Sequence, residues 1–263
     1  MGPAATDQAH SPAIVLCCSG HDPSGGAGIH ADIESCAANG ARAVTLITAL
    51  TVQDSRNVRR VQAVAPLILA DAADTLIADI TPQAVKVGLV GDPQQLPVLK
   101  ALLTRLMLPL VLDPILRAGG GAQLLSRPLA ALLKEELFGL VTVLTPNAAE
   151  ARQLTGCERL PDAADRLLKL GVEHVLITGG DEPEAEAVDW HFQQGAEPRR
   201  HAWPRLPQSF HGAGCTLASA IAAQLARGEP VARAIELAQA YTHRALRQAQ
   251  AVGGGRLLPG RWP

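Results

Sequence analysis

The stretch Ala13-Ile-Val-Leu-Cys-Cys-Ser19 decides the fold, because a short continuous apolar run of this kind is typical of a strand buried on both faces. A glycine-rich loop from Gly20 to Gly28 follows the run, and a helical pattern from Gly28 to Asn39 comes next. Gly40 then ends the predicted helix, as glycine commonly does. This order predicts a β-loop-α unit, from which parallel sheets are built.

The same alternation of strand and helix patterns continues along the chain. Further strands are predicted at Ala43 to Ala49, Val58 to Val64, Ala84 to Gly88, Leu110 to Asp113, Val141 to Thr145 and His174 to Thr178. Further helices are predicted at Pro66 to Ile77, Pro93 to Leu106, Arg127 to Phe138, Asn147 to Leu154 and Asp162 to Leu170. The alternation implies an α/β fold of three layers, with a mostly parallel central sheet and helices on both faces.

The carboxyl-terminal part breaks this alternation. Val188 to Phe192 and Arg199 to Trp203 flank a turn sequence and predict a hairpin, a small antiparallel addition to the sheet near residues 188–203. A last helix is predicted from Val231 to Gln250, directly after Pro230. Because no internal repeat or linker interrupts the pattern, we predict a single domain from residue 13 to residue 263, preceded by a loose tail over residues 1–12.

Composition limits the class of partner. Of the 263 residues, 48% are apolar and 18% are charged, and the formal net charge of −2 comes without any run of Lys or Arg. This excludes nucleic acid and anionic membranes as expected partners and favours a small molecule. The five cysteines lack disulfide-framework or zinc spacing, and no apolar run is long enough for a membrane span. We therefore expect a cytoplasmic protein.

The segment Ser209-Phe-His-Gly-Ala-Gly-Cys-Thr216 runs directly into an apolar-periodic stretch from Leu217 to Arg227. Gly212, Ala213 and Gly214 allow a tight turn before a helix, so that peptide N–H groups without helical partners converge on one point. Such a point favours an anion, and the helix dipole would also favour the thiolate of Cys215. A glycine turn before a helix is equally an ordinary way to change chain direction, so the segment alone leaves both interpretations open.

Asn147 and Glu150 are spaced three residues apart on the first turn of a predicted helix. An amide and a carboxylate on one helix face could orient water around Mg²⁺, which needs few protein ligands. The alternative is a helix cap, because Asn at the first position with Glu three residues later is close to a capping box. Without further motifs, the cap is the better interpretation.

Gln53 and Asp32 are candidates for binding the edge of a heterocycle through hydrogen bonds. A carboxamide presents a donor and an acceptor side by side, which matches the ring nitrogen and amine of an aminopyrimidine, and a carboxylate accepts hydrogen bonds. Either side chain could instead be solvated. The nucleotide motifs are weak: the Walker pattern GxxxxGK[ST] is absent, and the GxGxxA match from Gly26 to Ala31 lies too far beyond its strand.

Motifs along nearly the whole chain nevertheless combine into one resemblance. They are Gly20-His-Asp-Pro-Ser-Gly-Gly-Ala-Gly-Ile-His-Ala-Asp32, Thr48-Ala-Leu-Thr-Val-Gln53, Lys86-Val-Gly88, Leu112-Asp-Pro114, Thr145-Pro-Asn147 with Glu150, Gly179-Gly180 and His211-Gly-Ala-Gly-Cys-Thr216. In this order the chain resembles the hydroxymethylpyrimidine/phosphomethylpyrimidine kinases of thiamine biosynthesis. The resemblance implies a ribokinase-like fold, ATP and Mg²⁺ as cofactors, a homodimer, and phosphorylation of 4-amino-5-hydroxymethyl-2-methylpyrimidine and then of its monophosphate.

The resemblance also implies roles for individual residues. It makes Gln53 and Asp32 the pyrimidine-binding pair and lines the ring with Ala27, Thr51 and Leu89. It places Asn147 and Glu150 near the metal and phosphate, with Asp113 as a second carboxylate. It implies a catalytic anion hole from His211 through Gly212, Ala213 and Gly214 to Cys215, which occupies the place of the aspartate base of related sugar kinases. Gly180 belongs to the predicted nucleotide side.

This chain departs from the family pattern at three positions. Thr178 stands where many relatives have lysine, and Leu89 and Ala213 replace residues that are often Met and Thr or Ser. Arg117, in a glycine-rich loop from Arg117 to Gly121, is the predicted substitute for the missing phosphate cation.

Three other functions stay open at this point. A pyridoxal kinase of the same fold would also phosphorylate a hydroxymethyl group on a flat heterocycle. A hydrolase would use Cys215 as nucleophile with His211 as base. A protein that only binds pyrimidine would keep Gln53 and Asp32, but it would not need the phosphate-binding motifs.

Overall fold

A computed structural model describes residues 12–116 and 127–262 of the chain. The predicted tail, apart from Pro12, and the predicted glycine loop from Arg117 to Gly121 lie outside the described residues. The predicted division into tail and domain therefore stays a prediction.

The described residues form a nine-stranded sheet in the order β3-β2-β1-β4-β5-β6-β7-β8-β9. The strands are β1 Ala13–His21, β2 Ala41–Gln53, β3 Val58–Ala63, β4 Ala84–Val87, β5 Leu110–Leu112, β6 Val143–Leu144, β7 His174–Ile177, β8 Glu186–Gln193 and β9 Arg199–Pro204. The six strands β1, β2, β4, β5, β6 and β7 are parallel. β3 pairs antiparallel with β2, and β8 and β9 add an antiparallel hairpin beside β7. The predicted fold class and the antiparallel addition are confirmed.

Eight α-helices cover the two faces of this sheet in the described residues. They are α1 Gly28–Ala38, α2 Pro66–Asp79, α3 Leu96–Leu106, α4 Arg127–Leu137, α5 Ala148–Thr155, α6 Leu160–Lys169, α7 Ala213–Ala226 and α8 Val231–Arg247. One apolar core joins the sheet to α2 through α6, and a second core joins its other face to α1, α7 and α8. None of these helices has the length and apolar character needed to cross a membrane.

β1 shows why the opening stretch organises the fold. Leu16 and Cys18 point into the core on the side of α2 through α6, whereas Val15 and Cys17 point into the core on the side of α1, α7 and α8. All four side chains are completely buried. A strand buried on both faces needs the continuous apolar run that the sequence contains.

Two element boundaries affect the site. β2 continues to Gln53 instead of ending at Ala49, because its outer part pairs antiparallel with β3, with Thr51 opposite Val61. Helix α7 begins at Ala213, four residues before the predicted apolar stretch. Gln53 therefore lies within a strand, and Cys215 lies in the first turn of α7, where it was predicted.

Candidate active site

A cavity of about 470 Å³ runs along the edge of the sheet where the parallel strands end. Fourteen of the predicted site residues line it: Ala27, Thr51, Gln53, Leu89, Asp113, Asn147, Glu150, Thr178, Gly180, His211, Gly212, Ala213, Gly214 and Cys215. Because the strands are ordered from β3 to β9, Gln53 on β2 and Thr178 after β7 mark opposite sides of the cavity. Its volume is within the usual range for small-molecule sites.

The amino-terminal turn of α7 lies in the middle of this cavity wall. Gly212 caps the helix with φ of +85°, and a Cβ there would overlap the carbonyl oxygen of Gly26, so this position requires glycine. Helix geometry leaves the N–H groups of Ala213, Gly214 and Cys215 without intrahelical partners. Asp113 faces the same turn, with Oδ2 3.4 Å from the place where a Cβ on Gly214 would lie. The turn thus presents free donors beside a carboxylate.

Asp22 ties the loop before α1 to the loop before α7, a role that the sequence analysis missed. Its Oδ2 accepts a hydrogen bond from the N–H of Ala27 and lies 2.8 Å from Nε2 of His211, while its Oδ1 accepts from the backbone N–H of Ser24. Burial alone would raise the pKa of Asp22, but the hydrogen bonds from His211 and Ser24 hold it below its usual value. His211 lines the cavity, but its Nε2 is committed to Asp22 and not to the predicted phosphate.

Asp32 does not line the cavity, in contrast to its predicted contact with the pyrimidine. It is completely buried behind the wall, where its Oδ1 lies 2.8 Å from Nζ of Lys86 and accepts a hydrogen bond from Ser219. Lys86 also donates to the hydroxyl of Ser19 at 2.8 Å. Helix α1 turns Asp32 toward the sheet, where its carboxylate gives the buried charge of Lys86 on β4 a partner and so offsets the cost of burying it.

Lys86 could have been found from its sequence context. It is the one charged residue of the apolar strand Ala84–Val87, all four of whose residues are buried. A lysine at such a position signals a buried partner and often a functional site. Its pKa is raised: burial would lower it, but Asp32, Cys215 and Asp113 together outweigh that effect.

The ionisation of Cys215 differs from the prediction of an available thiolate. The side chain is 5% exposed, and this burial, despite the nearby charge of Lys86, raises the pKa of the thiol to about 11. Asp113 lies within hydrogen-bonding reach of Cys215, and burial raises its pKa to about 7, with Lys86 opposing and Glu150 adding to the rise. At neutral pH the buried thiol is protonated, which makes it a poor nucleophile.

Asn147 and Glu150 form the capping box that the sequence offered as an alternative. The side chain of Asn147 accepts from the N–H of Glu150 at 2.8 Å, and Glu150 Oε2 accepts from the N–H of Asn147 at 3.0 Å. Glu150 Oε1 accepts from the N–H of Leu116 at 3.0 Å. Each carboxylate oxygen keeps a second lone pair, so the cap does not exhaust the acceptor capacity of Glu150.

These oxygens suit Mg²⁺ in chemical type. The described residues contain no group of three or more His, Cys, Asp or Glu side chains placed to enclose a metal. Mg²⁺ does not require such a cage, because it keeps several waters and binds through one or two carboxylates. Burial raises the pKa of Glu150, and a cation at its free lone pairs would stabilise the charged form.

Gln53, Thr51, Ala27 and Leu89 form the wall on the β2 side. The hydroxyl of Thr51 donates to the carbonyl of His21 at 2.8 Å, which fixes the end of β2 against the loop after β1. Leu89 is buried, and Gln53 is half-buried. This side therefore combines an apolar surface with one carboxamide, an arrangement suited to a flat polar ring.

The opposite side holds residues that the sequence analysis did not single out. Asp189 accepts from the N–H of Gly179 at 3.0 Å and from the amide of Gln239 at 2.8 Å. Trp203 and His243 stack with ring centroids 5.0 Å apart. Thr178 and Gly180 line this side and their role at the nucleotide stays a prediction, whereas Arg117 is outside the described residues. These residues come together only through the β8–β9 hairpin and α8, so local sequence gives little sign of them.

Comparison with known proteins places these features in context. The family model for phosphomethylpyrimidine kinase matches residues 22–259. A hydroxymethylpyrimidine/phosphomethylpyrimidine kinase from Synechococcus elongatus is 36% identical over 250 residues, 92% of this chain and 95% of the relative. The thiamine biosynthesis bifunctional protein ThiED from Geobacter sulfurreducens is 40% identical over 248 residues, 92% of this chain. The chain spans 50% of the length of that bifunctional protein.

Solved structures show the same fold. An ADP complex of pyridoxal kinase from Bacillus subtilis has a TM-score of 0.88 at 28% identity, over 95% of this chain and 98% of that one. A phosphomethylpyrimidine kinase from Clostridium difficile has a TM-score of 0.78 at 30% identity, over 89% of this chain and 99% of that one. Of these two structures, the pyridoxal kinase has the higher TM-score and the phosphomethylpyrimidine kinase has the higher sequence identity. We give the sequence more weight, because one fold hosts several activities.

Proposed function

The chain belongs to the phosphomethylpyrimidine kinase family, and on this basis we propose that it phosphorylates 4-amino-5-hydroxymethyl-2-methylpyrimidine and then the monophosphate, with ATP as donor. The observation that carries the proposal is a single cavity that joins Gln53, on the β2 side, to the first turn of α7 and Cys215. A carboxamide for the ring and free N–H groups for a phosphoryl group are the two parts that this reaction needs.

The acceptor ring would lie against Ala27 and Leu89, with its aminopyrimidine edge on the carboxamide of Gln53. The hydroxymethyl group then faces Cys215 and the first turn of α7. Asp32 supports this side from behind, because its ion pair with Lys86 holds α1 and β4 together below the cavity floor. Binding energy from the ring would position the acceptor oxygen, which is the main requirement of phosphoryl transfer.

The N–H groups of Ala213, Gly214 and Cys215 would stabilise the negative charge of the transferred phosphoryl group. The proton of the acceptor hydroxyl leaves late in a loose transition state, so a preformed thiolate is not needed. We assign the final proton to Asp113: the sulfur of Cys215 takes the acceptor proton as its own proton passes to the carboxylate. A pKa of about 7 suits Asp113 to this role.

Glu150 and Asn147 would hold Mg²⁺ through their free oxygen lone pairs. When bound, Mg²⁺ neutralises phosphate charge and draws electron density from the leaving group. The stacked Trp203 and His243, on the side of Thr178 and Gly180, offer an aromatic surface for the purine of ATP.

A coupled assay of ADP release tests the proposal with the alcohol, its monophosphate and pyridoxal as acceptors. We expect Gln53→Ala to raise KM for the alcohol about 5- to 150-fold, because lost paired hydrogen bonds are worth roughly 1–3 kcal/mol, with little change in KM for ATP. Gln62→Ala is the matched control, since Gln62 is an exposed glutamine on β3. Equal changes in both KM values for Gln53→Ala would contradict the assignment.

Pyridoxal kinase activity is the second candidate, favoured by the close structural match to the Bacillus subtilis pyridoxal kinase. The two activities differ in the ring edge that Gln53 meets. A higher kcat/KM for pyridoxal than for the pyrimidine alcohol in the same assay would favour this second candidate.

We also propose that the protein is a homodimer. Leu50 and Val52 are 50% and 45% exposed on β2, next to the edge strand β3, and a second copy would cover this apolar surface. Sedimentation equilibrium should give twice the chain mass of 27.5 kDa, and Leu50→Glu should shift the protein toward monomer. A wild-type monomer would contradict the proposal.

A further inference from the structure

The cavity wall is short of positive charge for an enzyme with two phosphorylated substrates. Its described lining contains five carboxylate residues, Asp22, Asp113, Glu150, Asp181 and Asp189, and two arginines, Arg205 and Arg256. Lys86 lies behind the wall and is paired with Asp32. The residue that follows β7 at this edge of the sheet is the uncharged Thr178. A phosphate that enters the cavity therefore depends on very few cations.

Arg205 is occupied by the protein itself. Its guanidinium donates to the carbonyls of Gly180 at 2.6 Å, Glu184 at 2.5 Å and Glu182 at 2.7 Å, and so uses all three nitrogens on one loop. These contacts fix the connection between β7 and β8. A phosphate could bind Arg205 only by displacing them.

Arg256 is different, because its guanidinium has donors to spare. Within the described residues it makes one hydrogen bond, from Nη1 to the carbonyl of Phe210 at 3.3 Å. Its Nε is buried and has no partner there. A buried donor without a partner is costly, and a ligand that accepts from it would recover that cost. Burial lowers the pKa of Arg256, and an anion at the guanidinium would oppose that shift.

The chain around Arg256 places it on the acceptor side of the cavity. The N–H of Arg256 donates to the carbonyl of Ser55 at 3.0 Å, two residues beyond Gln53. On its other side, Leu257 pairs with the segment from Ser209 to His211 that leads into α7. Arg256 is therefore tied both to the turn that follows the ring-binding strand β2 and to the segment that leads into the phosphoryl-binding helix α7.

From this placement we propose that Arg256 binds the phosphate of a phosphomonoester acceptor and so favours the monophosphate over the alcohol. The inference rests on the proposed function, because it assumes that both acceptors are phosphorylated in this cavity. The planar guanidinium can donate two hydrogen bonds to one phosphate, which a single ammonium cannot reproduce. The alcohol has no phosphate at this point, so its reaction depends much less on Arg256.

The test compares kcat/KM for the monophosphate with kcat/KM for the alcohol in the full-length protein. Arg256→Met should lower the ratio of the two values about 10- to 100-fold, in line with the strength of charged hydrogen bonds, and Arg256→Lys should give an intermediate ratio. Arg56→Met is the matched control, because Arg56 is exposed on the neighbouring loop and does not line the cavity. The control should leave the ratio within about twofold of wild type.

The measured rates distinguish a failure of the proposed function from a failure of the role of Arg256. If the wild-type protein phosphorylates neither acceptor, the proposed function fails. If it phosphorylates both and Arg256→Met leaves the ratio unchanged, the role of Arg256 is refuted while the proposed function stands. A rise in KM for ATP with the alcohol as acceptor would mean that Arg256 binds the donor phosphates instead. If Arg256→Met does not fold, Arg256→Lys and calorimetric titration of the monophosphate without ATP decide the question, and unchanged affinity would refute the role.

Discussion

Two of the buried titratable pairs in this molecule differ in charge although both are closely packed. Lys86 and Asp32 lie beneath the cavity with both side chains 0% exposed, and Lys86 is charged. His174 and His191 lie between β7 and β8, with Nδ1 of the first 3.0 Å from Nε2 of the second, and burial keeps both neutral by lowering their pKa values. The first pair is next to Cys215 and Asp113, whereas the second supports the antiparallel hairpin.

The difference shows where this fold accepts a buried charge. A charge inside a protein is stabilising only with an opposite charge and hydrogen bonds, and Asp32 has Lys86 and Ser219 on one oxygen. A histidine avoids the same cost by losing its proton. The charged pair is found beside Cys215 and Asp113, the proposed catalytic residues, where Lys86 lowers the pKa of Cys215 against the effect of burial, and the neutral pair is found between two strands of the sheet.

The largest expected effect comes from breaking the charged pair. Lys86→Met should lower the free energy of unfolding by about 3–5 kcal/mol, because it leaves Asp32 buried without its counter-charge. Asp32 Oδ2 has no hydrogen-bond partner among the described residues, so no second group there would stabilise the carboxylate once Lys86 is replaced. Urea denaturation of the variant and the wild type measures the difference.

The double variant Lys86→Met with Asp32→Leu is the control for this prediction. Replacing both charges by apolar side chains removes the unpaired carboxylate, so most of the lost stability should return. If the double variant were as unstable as the single variant, packing and not charge would explain the loss.

The neutral pair should make stability depend on pH. Unfolded histidine has a pKa of about 6.5, and in the folded protein burial, His174, His201 and Arg199 lower the pKa of His191 to about 4. Above pH 6.5 both states are neutral and the stability is complete. As pH falls from 6.5 toward 4, only the unfolded state gains the proton, so up to about 3 kcal/mol is lost. Thermal unfolding between pH 4 and pH 8 should show this slope, and His191→Gln should reduce it. An equal slope in the variant would contradict the assignment.

The fold could be predicted largely because its periodic signals are local. The apolar run of β1 predicted a strand buried on both faces, and the hairpin at residues 188–203 was predicted from its turn. The start of α7 was placed correctly to within two residues, because Gly212 signals the turn that precedes the helix. The end of β2 was missed because a distant contact sets it, the antiparallel pairing with β3. Propensity says nothing about such contacts.

Site residues could be predicted where the local backbone fixes the direction in which the residue faces. Cys215 and Gly214 follow from the turn before α7, whereas the carboxylate of Asp32 could point into the cavity or behind it. Helix position alone does not decide between these directions, and the deciding signal was Lys86 in an apolar strand. Arg256 was missed because its position is set by contacts between distant parts of the chain. The segment after α8 bonds to Ser209 and Ser55, and the sequence gives no sign of these contacts.

An effect smaller than that of either buried pair is expected from the capping box of Asn147 and Glu150. Asn147→Ala should cost about 1 kcal/mol of stability, the usual loss for a helix cap. Glu150→Gln should also cost about 1 kcal/mol, because an amide cannot accept from both Asn147 and Leu116 with its two terminal atoms. Both variants should in addition raise the Mg²⁺ concentration needed for half-maximal rate, because each side chain is a proposed Mg²⁺ ligand, and Glu150→Gln should raise it more because it also removes a negative charge. A Mg²⁺ dependence equal to that of the wild type in both variants would leave Asn147 and Glu150 as a helix cap alone.

The smallest effect is expected from a surface ion pair that matches Lys86 and Asp32 in distance but not in environment. Arg105 Nη2 lies 2.7 Å from Oδ1 of Asp74, and the two side chains are 54% and 66% exposed. Water screens this pair and competes for its hydrogen bonds, so Arg105→Gln should change the free energy of unfolding by about 0.2–1 kcal/mol, and less in 1 M salt. A double-mutant cycle with Asp74→Asn isolates the interaction, and the same cycle on Lys86 and Asp32 should give a coupling several times larger. Similar couplings for two pairs of nearly equal length would mean that burial does not control the strength of the charged pair beneath the cavity.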